Sequence, residues 1–94
     1  MTCVYNDIKT SVKLNDNQFG GLVSWAFNVG CGNVRSSGLV KRLNSGEDPI
    51  TVASSELPKW ATSKGKVLKG LVTRRANEVK LFKTASRIIV HPSC

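Results

Sequence analysis

Acidic side chains are the groups in this sequence best suited to hydrolytic chemistry, because hydrolysis needs a positioned acid, base or nucleophile. The sequence contains six of them: Asp7, Asp16, Glu47, Asp48, Glu56 and Glu78. Glu47 and Asp48 are adjacent, and neighbouring residues of a helix or turn point apart rather than across a substrate. Glu78 follows the Arg74-Arg75 pair at helical spacing, which predicts an ion pair along one helix. The two aspartates at positions 16 and 48 suit helix N-caps. We therefore predict no catalytic acid among the six.

Cysteine and histidine offer little further chemistry. The cysteines are Cys3, Cys31 and Cys94, without C-x-x-C spacing, and the one histidine is His91. Zinc sites take about four such ligands at close spacing, so neither a metal nor another cofactor is expected. An odd number of cysteines fits one disulfide plus one leftover thiol, or three reduced structural thiols. The Gly-x-Ser-x-Gly motif of serine hydrolases is absent.

The chain is strongly basic, with a formal net charge of +8. Such a charge predicts attraction to polyanions, namely anionic envelope polymers, membranes or nucleic acid. Basic residues cluster over Lys64–Lys69 and over Arg74–Lys83, and a solvated helix face explains these clusters equally well. Nucleic-acid-binding modules interleave aromatic with basic residues so that bases can stack. Only Phe82 lies near the clusters, so no specific nucleic-acid partner is expected.

The elements that must position these groups are predicted to be helices. The length of 94 residues suits one small domain. Residues 3–12 suit either a short helix or a strand. A central, buried helix is predicted to begin after an Asn15-Asp16 cap and to end at Gly30–Asn33. Its apolar residues recur at helical spacing: Phe19, Leu22, Val23, Ala26 and Phe27. Gly20-Gly21 inside this helix predicts close packing of another helix.

Shorter elements complete the prediction. One helix follows a cap at Ser36 or Ser37, and another follows Asp48-Pro49. Thr62–Lys66 is predicted to be a polar loop, and a last long helix is predicted from about Val67 to Lys83. Ile88–Val90 has an extended pattern. The apolar side of the last helix comprises Leu68, Leu71, Val72, Val79 and Phe82. The predicted fold class is all-α.

Several segments resemble the family 24 glycoside hydrolases, which are the phage-type lysozymes or endolysins. Leu14–Gly32 resembles the family pattern Q-[FY]-x-A-L-V-S-[FW]-x-[FY]-N-x-G, and the secreted fungal muramidases are the most similar branch. Glu56–Trp60 resembles E-x-P-x-W, and residues 65–78 resemble the closing G-K-x-L-x-G-L-x-x-R-R-x-x-E. The implied organisation is a lysozyme-like C-terminal helical lobe over residues 1–84 and a tail over residues 85–94.

The resemblance implies an activity and also a missing part. The family hydrolyses the β-1,4 bond between N-acetylmuramic acid and N-acetylglucosamine in peptidoglycan, in a cleft between two lobes. Its catalytic glutamate lies in an N-terminal E-G segment, ahead of a small β-sheet lobe with a T-I-G-Y-G-H motif. Neither motif occurs in these 94 residues. We therefore expect a truncated chain that is inactive alone. The alternative is a non-catalytic cationic module, either an antimicrobial effector or a peptidoglycan-binding unit.

The matching positions would line the far side of the cleft. The resemblance implies that Phe27 and Asn28 face the sugar and that a hydroxyl of Ser36 or Ser37 could reach an N-acetyl group. It also implies that Lys66 lies near the cleft mouth and that Arg74 and Arg75 support the active site electrostatically. The implied substrate-binding residues are Phe27, Asn28, Ser36, Ser37, Lys66, Arg74 and Arg75. Several of them have another interpretation: Phe27 suits the core, the serines suit helix caps, and one arginine suits a pair with Glu78. Trp60, in the E-x-P-x-W segment, also suits the core.

The resemblance also implies partners and a location. The expected partner is bacterial peptidoglycan, with anionic envelope polymers as further candidates. A missing lobe predicts an uncovered apolar patch, and hence either self-association or low stability. A complementary N-terminal lobe in a separate chain is a further possible partner. Fungal relatives are secreted, so secretion is expected. The first residues lack the basic and apolar regions of a signal peptide, so the signal is expected to be absent from this chain.

Overall fold

Six α-helices and two short strand pairs make up the computed structural model, which describes residues 2–9, 11–63 and 65–91 (without the side chains of residues 2, 3, 5 and 63). The elements are α1 (Thr2–Asp7), β1 (Leu14–Asn15), α2 (Asp16–Val29), α3 (Cys31–Ser36), α4 (Gly38–Asn44), α5 (Pro49–Glu56), a 3-10 turn (Leu57–Trp60), β2 (Thr62–Ser63), β3 (Lys66–Val67), α6 (Lys69–Lys83) and β4 (Ile89–His91). Within the described ranges no strand is longer than three residues, so the all-α prediction is confirmed. None of the described helices combines the length and apolarity needed to cross a membrane.

Side-chain caps fix where the helices begin. Asn15 and Gln18 form a capping box at the start of α2, in which each side chain accepts a hydrogen bond from the other's backbone N–H. Ser37 caps α4 and Asp48 caps α5, which has Pro49 at its first position. The predicted caps are therefore confirmed, with Asn15 rather than Asp16 serving α2.

The core surrounds α2, which buries Gly21, Leu22, Trp25 and Ala26. Phe82 of α6 packs into the same cluster. The other members come from the remaining α-helices, from β1 and the segment that precedes it, and from the 3-10 turn: Val4, Ile8, Val12, Leu14, Val34, Leu39, Val40, Leu43, Val52, Ala53 and Leu57. Trp60 packs edge-to-face on Trp25 at a centroid distance of 5.7 Å. Core burial of α2 is thus confirmed for its inner face.

The outer face of α2 is open, which corrects the core interpretation of Phe27. This side chain is 77% exposed. Phe27 follows the buried Trp25 by two residues, which is about 200° around a helix. Its ring therefore points away from the core that Trp25 enters.

The glycine pair in α2 allows α6 to approach closely. A Cβ atom at Gly21 would lie 3.2 Å from the backbone oxygen of Glu78 and 3.6 Å from Cδ2 of Phe82. At Gly20 the nearest atom would be Cδ2 of Leu81, at 3.9 Å. The predicted close packing is confirmed, and Gly21 is the residue that requires it.

Helix α2 ends at Gly30, whose φ of 89° favours glycine. It then forms α3, although Gly32 and Asn33 had indicated a helix end rather than a new helix. Cys31 in α3 is disulfide-bonded, so the interpretation with three reduced thiols is wrong. The Cys3 side chain and Cys94 lie outside the described residues.

Two strand pairs differ from the predicted irregular segments. Thr62–Ser63 pairs with Lys66–Val67, so part of the predicted loop is a hairpin, and α6 begins at Lys69 rather than Val67. Lys64 lies outside the described residues. Ile89–His91 pairs with Leu14–Asn15, so the extended conformation predicted over Ile88–Val90 is present one residue further along, while this pairing was not predicted. His91 is buried with Nδ1 2.7 Å from the carbonyl oxygen of Val12. Residues 89–91 therefore pack on the helical lobe.

Large apolar side chains remain on the surface of the described residues. They are Phe27, Ile50, Val67, Leu68, Val72, Leu81, Ile88 and Ile89. On α6 the predicted apolar stripe is buried only at Phe82, while Leu71 and Val79 are half-buried. The line of α6 that faces the core passes instead through Arg75 and Glu78. Self-association stays a prediction.

Candidate functional site

An open groove of about 490 Å³ runs between α2 and α6. Its lining residues are Ser24 from α2 and Gly70, Thr73, Arg74, Asn77, Glu78 and Leu81 from α6. The close approach at Gly21 brings the two helices together here, so the positions of the groove's polar groups follow from helix packing.

The carboxylate of Glu78 is the centre of this groove's polar network. It is 4% exposed. One oxygen accepts hydrogen bonds from Ser24 Oγ at 2.7 Å and from Arg75 Nη2 at 3.0 Å. The other oxygen, Oε1, lies 2.7 Å from Arg75 Nε. Arg74 Nε lies 3.5 Å from Oε2, the oxygen that Ser24 also contacts. The predicted ion pair along α6 is confirmed, and it involves both arginines.

The two arginines differ in their exposure. Arg75 is 1% exposed, and this burial lowers the pKa of its guanidinium, with Glu78 acting in the opposite direction. Its position argues against direct substrate contact from the groove. Arg74 is partly exposed, lines the groove and donates to the carbonyl oxygen of Ser24 at 3.3 Å. Arg74 is therefore the cation that a molecule in the groove would meet.

One face of α2 continues the groove toward a second hollow. Ser24, Phe27 and Asn28 are spaced i, i+3 and i+4, so they share a helix face. Phe27 and Asn28 are exposed. The second hollow encloses about 270 Å³. Its lining residues are Asn28, Val29, Asn33, Trp60, Thr62 and Leu71. We call Ser24, Phe27, Asn28 and Arg74 the cleft face.

The remaining predicted site residues do not join the cleft face. Ser37 is buried, donates to the carbonyl oxygen of Val34 at 2.7 Å and accepts from Val40 N, so the structure assigns it to the cap of α4 rather than to a sugar contact. Ser36 is exposed, but its hydroxyl donates to Gly32 within α3. Lys66 is exposed on β3.

The other carboxylates also have local partners. Glu56 is buried, and hydrogen bonds from Lys59 and Arg42, each 2.9 Å long, lower its pKa. Arg42 also bonds both oxygens of Glu47 and lowers its pKa. Asp7 lies 3.6 Å from the guanidinium of Arg35. Asp48 and Asp16 lie where helices begin. Asp48 caps α5, and Asp16 at the start of α2 accepts a hydrogen bond from Asn17 N.

Some of the residues that shape this region were not among those predicted from the sequence. Ser24 was overlooked, although it lies three residues before Phe27 and so on the same helix face. Asn33 was assigned to a turn, and Trp60 to the core alone, yet both line the second hollow. No group of three or more histidine, cysteine, aspartate or glutamate side chains in the described ranges is arranged to hold a metal ion.

Known proteins similar to this chain are phage lysozymes and endolysins. The family described as phage lysozyme matches residues 1–78. An endolysin of Bacillus phage PZA is 48% identical over 75 residues, which cover 80% of this chain and 28% of the endolysin. A SAR-endolysin of Bacteriophage PS119 is 40% identical over 67 residues, covering 71% of this chain and 39% of that protein. The chain therefore spans well under half the length of these relatives.

A solved structure supports the same relationship. The muramidase domain of SpmX from Asticaccaulis excentricus superposes with a TM-score of 0.75 at 34% sequence identity. The match covers 89% of this chain and 57% of that one. This likeness confirms the lysozyme-like helical fold predicted from the sequence.

Proposed function

This chain belongs to the phage lysozyme family, and from that premise we propose that it is the helical lobe of a peptidoglycan muramidase. In this proposal the cleft face holds the glycan, and the proton donor comes from a segment outside these 94 residues. Alone, the 94 residues bind peptidoglycan without hydrolysing it.

The contacts of the carboxylates are the main support for this proposal. All six acidic side chains of the sequence lie within the described residues, and each contacts a cation or a helix start. Glycosidases protonate the leaving oxygen with a carboxylic acid. Glu78 is the carboxylate that lines the groove, and two guanidinium groups and a hydroxyl surround it. These contacts suit an ion pair rather than a proton donor.

The cleft face has the mixed chemistry of a sugar site. Binding sites commonly combine apolar or aromatic surface with a few convergent polar groups. Phe27 offers an exposed ring and Asn28 an exposed amide beside it. Arg74 offers donors held in place by Ser24 and Glu78. An entering carboxyl group from a second segment would meet Arg74 first, which agrees with the supporting role that the resemblance implies.

The branch of the family, the location and any secondary partner of the chain are less strongly supported than its helical lobe. The reported relatives are phage endolysins and a bacterial muramidase domain. Membership of the fungal branch and secretion are expectations from the sequence resemblance alone, and an antimicrobial role is an alternative suggested by the cationic surface. The net charge of +8 supports weak attraction to anionic envelope polymers as a secondary contact.

A chimaera tests the proposal. The 94 residues would be joined behind the N-terminal lobe of a phage-type lysozyme that contains the E-G segment. We expect the chimaera to clear suspended cell walls and to lose this activity when its E-G glutamate becomes glutamine. Arg74→Ala should lower clearance at least about tenfold, whereas Lys80→Ala, on the same helix, should leave it unchanged. A folded chimaera that binds peptidoglycan but never clears it would contradict the proposal.

A further inference from the structure

Lysine side chains form a stripe along the outer face of α6. Lys80 follows Lys69 by about three helical turns plus roughly 20°, and Lys83 lies about 40° to the other side of Lys69. All of them are exposed. The buried Glu78 lies about 180° around the helix from Lys69, so these lysines face away from the core. We call Lys69, Lys80 and Lys83 the lysine stripe.

The charge of the lysine stripe is uncompensated. Within the described residues, none of its side chains forms an ion pair or donates a side-chain hydrogen bond. The acidic side chains of the chain contact other cations or lie at the starts of α2 and α5. The positive field of the stripe is therefore available to an anion from outside the chain.

Helix stability explains only part of this arrangement. Lys80 and Lys83 lie in the last turn of α6, where the helix dipole favours cations. Lys69 is the first residue of α6, where a positive charge opposes the same dipole. Lys80 and Lys83 also repel each other, because residues three positions apart are neighbours on a helix surface. Binding of an anion accounts for all of these positions together.

The length of the lysine stripe indicates the form of its partner. Lys69 and Lys83 are separated by about 21 Å along the helix axis, at roughly 1.5 Å per residue. This separation is about twice the Debye length of roughly 10 Å in 0.1 M salt. One small anion therefore cannot neutralise both ends of the stripe, whereas a linear polyanion lying along α6 can.

The side chains around the lysine stripe narrow the choice of polyanion. Single-stranded nucleic acids stack on aromatic side chains, but Phe82, the one aromatic residue of α6, is 1% exposed. Helices that bind membrane surfaces present a broad apolar face. The exposed residues among the lysines are instead Thr73, Ala76 and Asn77, with Val72 at the border. The stripe thus suits a polyanion without bases or acyl chains.

We propose that the lysine stripe binds a linear phosphodiester polymer of the bacterial envelope, of the poly(glycerol phosphate) type. Lysine ammonium groups bind phosphate as point charges, without the fixed geometry of a guanidinium, which suits a flexible chain. The choice of an envelope polymer rests on the proposed function, whereas binding of a phosphodiester polymer does not. Arg74 lies about 140° around α6 from Lys69, so the stripe is separate from the cleft face. The single variant Lys80→Ala therefore leaves glycan binding at the cleft face unchanged.

Fluorescence anisotropy of labelled poly(glycerol phosphate) mixed with the 94-residue chain, at several salt concentrations, tests the proposal. Changing Lys69, Lys80 and Lys83 together to glutamine should weaken binding at least about tenfold in low salt. The slope of log K against log salt concentration should also become shallower by about two, since each neutralised phosphate of a single-stranded polyanion releases roughly 0.7 counterions. The substituted side chains are exposed, so the melting temperature should stay close to that of wild type.

A charge-matched variant separates the lysine stripe from net charge. Changing Lys9, Lys13 and Lys41 together to glutamine removes the same charge from exposed positions outside α6. This variant should weaken polymer binding less than about twofold, because exposed charges beyond a Debye length are largely screened. Equal losses in the two triple variants would overturn the proposal, since binding would then follow net charge alone.

Other polyanions test the chemistry of the partner. Oligothymidylate, poly-L-glutamate and vesicles containing phosphatidylglycerol should each bind the chain more weakly than poly(glycerol phosphate) does. Binding of any of them as tight as that of the polymer would overturn the assignment. Cosedimentation with phosphate-free peptidoglycan reports on the cleft face separately, and the variant without the lysine stripe should keep it. Failure of the stripe and failure of the proposed function therefore give different results.

Discussion

Arg75 Nε and Glu78 Oε1 lie 2.7 Å apart, and both side chains are at least 96% buried. The pair occupies one turn of α6, at the contact with α2. Ser24 of α2 donates to the same carboxylate at 2.7 Å. The ion pair therefore links the two helices that form the groove, in addition to balancing charge within α6.

Removing one charge of this pair should destabilise the fold strongly. Glu78→Gln leaves the Arg75 guanidinium buried without its counter-ion, and such changes cost about 3–5 kcal/mol. Unfolding in urea, monitored by circular dichroism, measures the loss. Glu47→Gln is the matched control: Glu47 and its partner Arg42 are partly exposed, so solvent screens their interaction and this variant should lose much less stability than Glu78→Gln.

A double variant keeps this test interpretable if Glu78→Gln does not fold. Arg75→Met with Glu78→Leu replaces the pair by apolar groups and should recover most of the lost stability. Equal urea midpoints for Glu78→Gln and Glu47→Gln would contradict the role assigned to the buried pair.

The glycine pair predicts opposite effects of one chemical change. Gly21→Ala places a Cβ 3.2 Å from the Glu78 backbone oxygen, so the helices must separate and the unfolding free energy should fall. Gly20→Ala meets only a flexible side-chain carbon at 3.9 Å and should gain up to about 1 kcal/mol from helix propensity. Thermal melts of both variants decide the matter, and a Gly21→Ala variant as stable as Gly20→Ala would show that the close approach is unimportant.

Acid should weaken the fold partly through Glu56. Lys59 and Arg42 hold its folded pKa below the ordinary value of 4.5. A lowered folded pKa means that this stabilisation is complete above the unfolded pKa and is lost as pH falls through the folded pKa. Urea midpoints measured between neutral and strongly acidic pH should therefore fall less steeply in Glu56→Gln than in wild type.

The control for this pH effect is Glu47→Gln. Glu47 also has a lowered pKa, but it lies at the surface, where solvent screens its interaction with Arg42. Its variant should keep most of the wild-type pH dependence. The interpretation of Glu56 fails if Glu47→Gln flattens the pH profile more than Glu56→Gln does.

Phe27→Ala should separate binding from folding. The ring is 77% exposed, so its removal should leave the melting temperature nearly unchanged while lowering cosedimentation with insoluble peptidoglycan at least about threefold. Ile50→Ala, an exposed apolar side chain on α5, is the control and should cosediment like wild type. A Phe27→Ala chain that binds normally would remove Phe27 from the cleft face.

Features determined by neighbours in sequence could be predicted. The caps at Asn15 and Asp48 and the pairing of Glu78 with the preceding arginines each depend on residues three or four positions apart. Gly20-Gly21 also signalled a close helix contact, because two glycines in a helix need a compensating reason. These local rules were sufficient to give the helical class and most of its elements.

Features determined by distant contacts could not be predicted. The hydrogen bond from Ser24 to Glu78 joins residues 54 positions apart, and it requires α2 and α6 to be packed already. Burial of Arg75 and exposure of Val72 have the same origin, since the side of α6 that meets α2 decides both. Phe27 matched the apolar spacing of α2 but lies outside its contact face. Hydrophobic spacing identified the helix without defining its buried side.

The most direct measurement is the release of new reducing ends from purified peptidoglycan by the isolated 94-residue chain. We expect no release above the buffer blank under conditions where the chain is folded and bound, because each of the six carboxylates contacts a cation or a helix start. Release that disappears in a folded Glu47→Gln, Glu56→Gln or Glu78→Gln variant would identify a proton donor within the chain and contradict the proposed function.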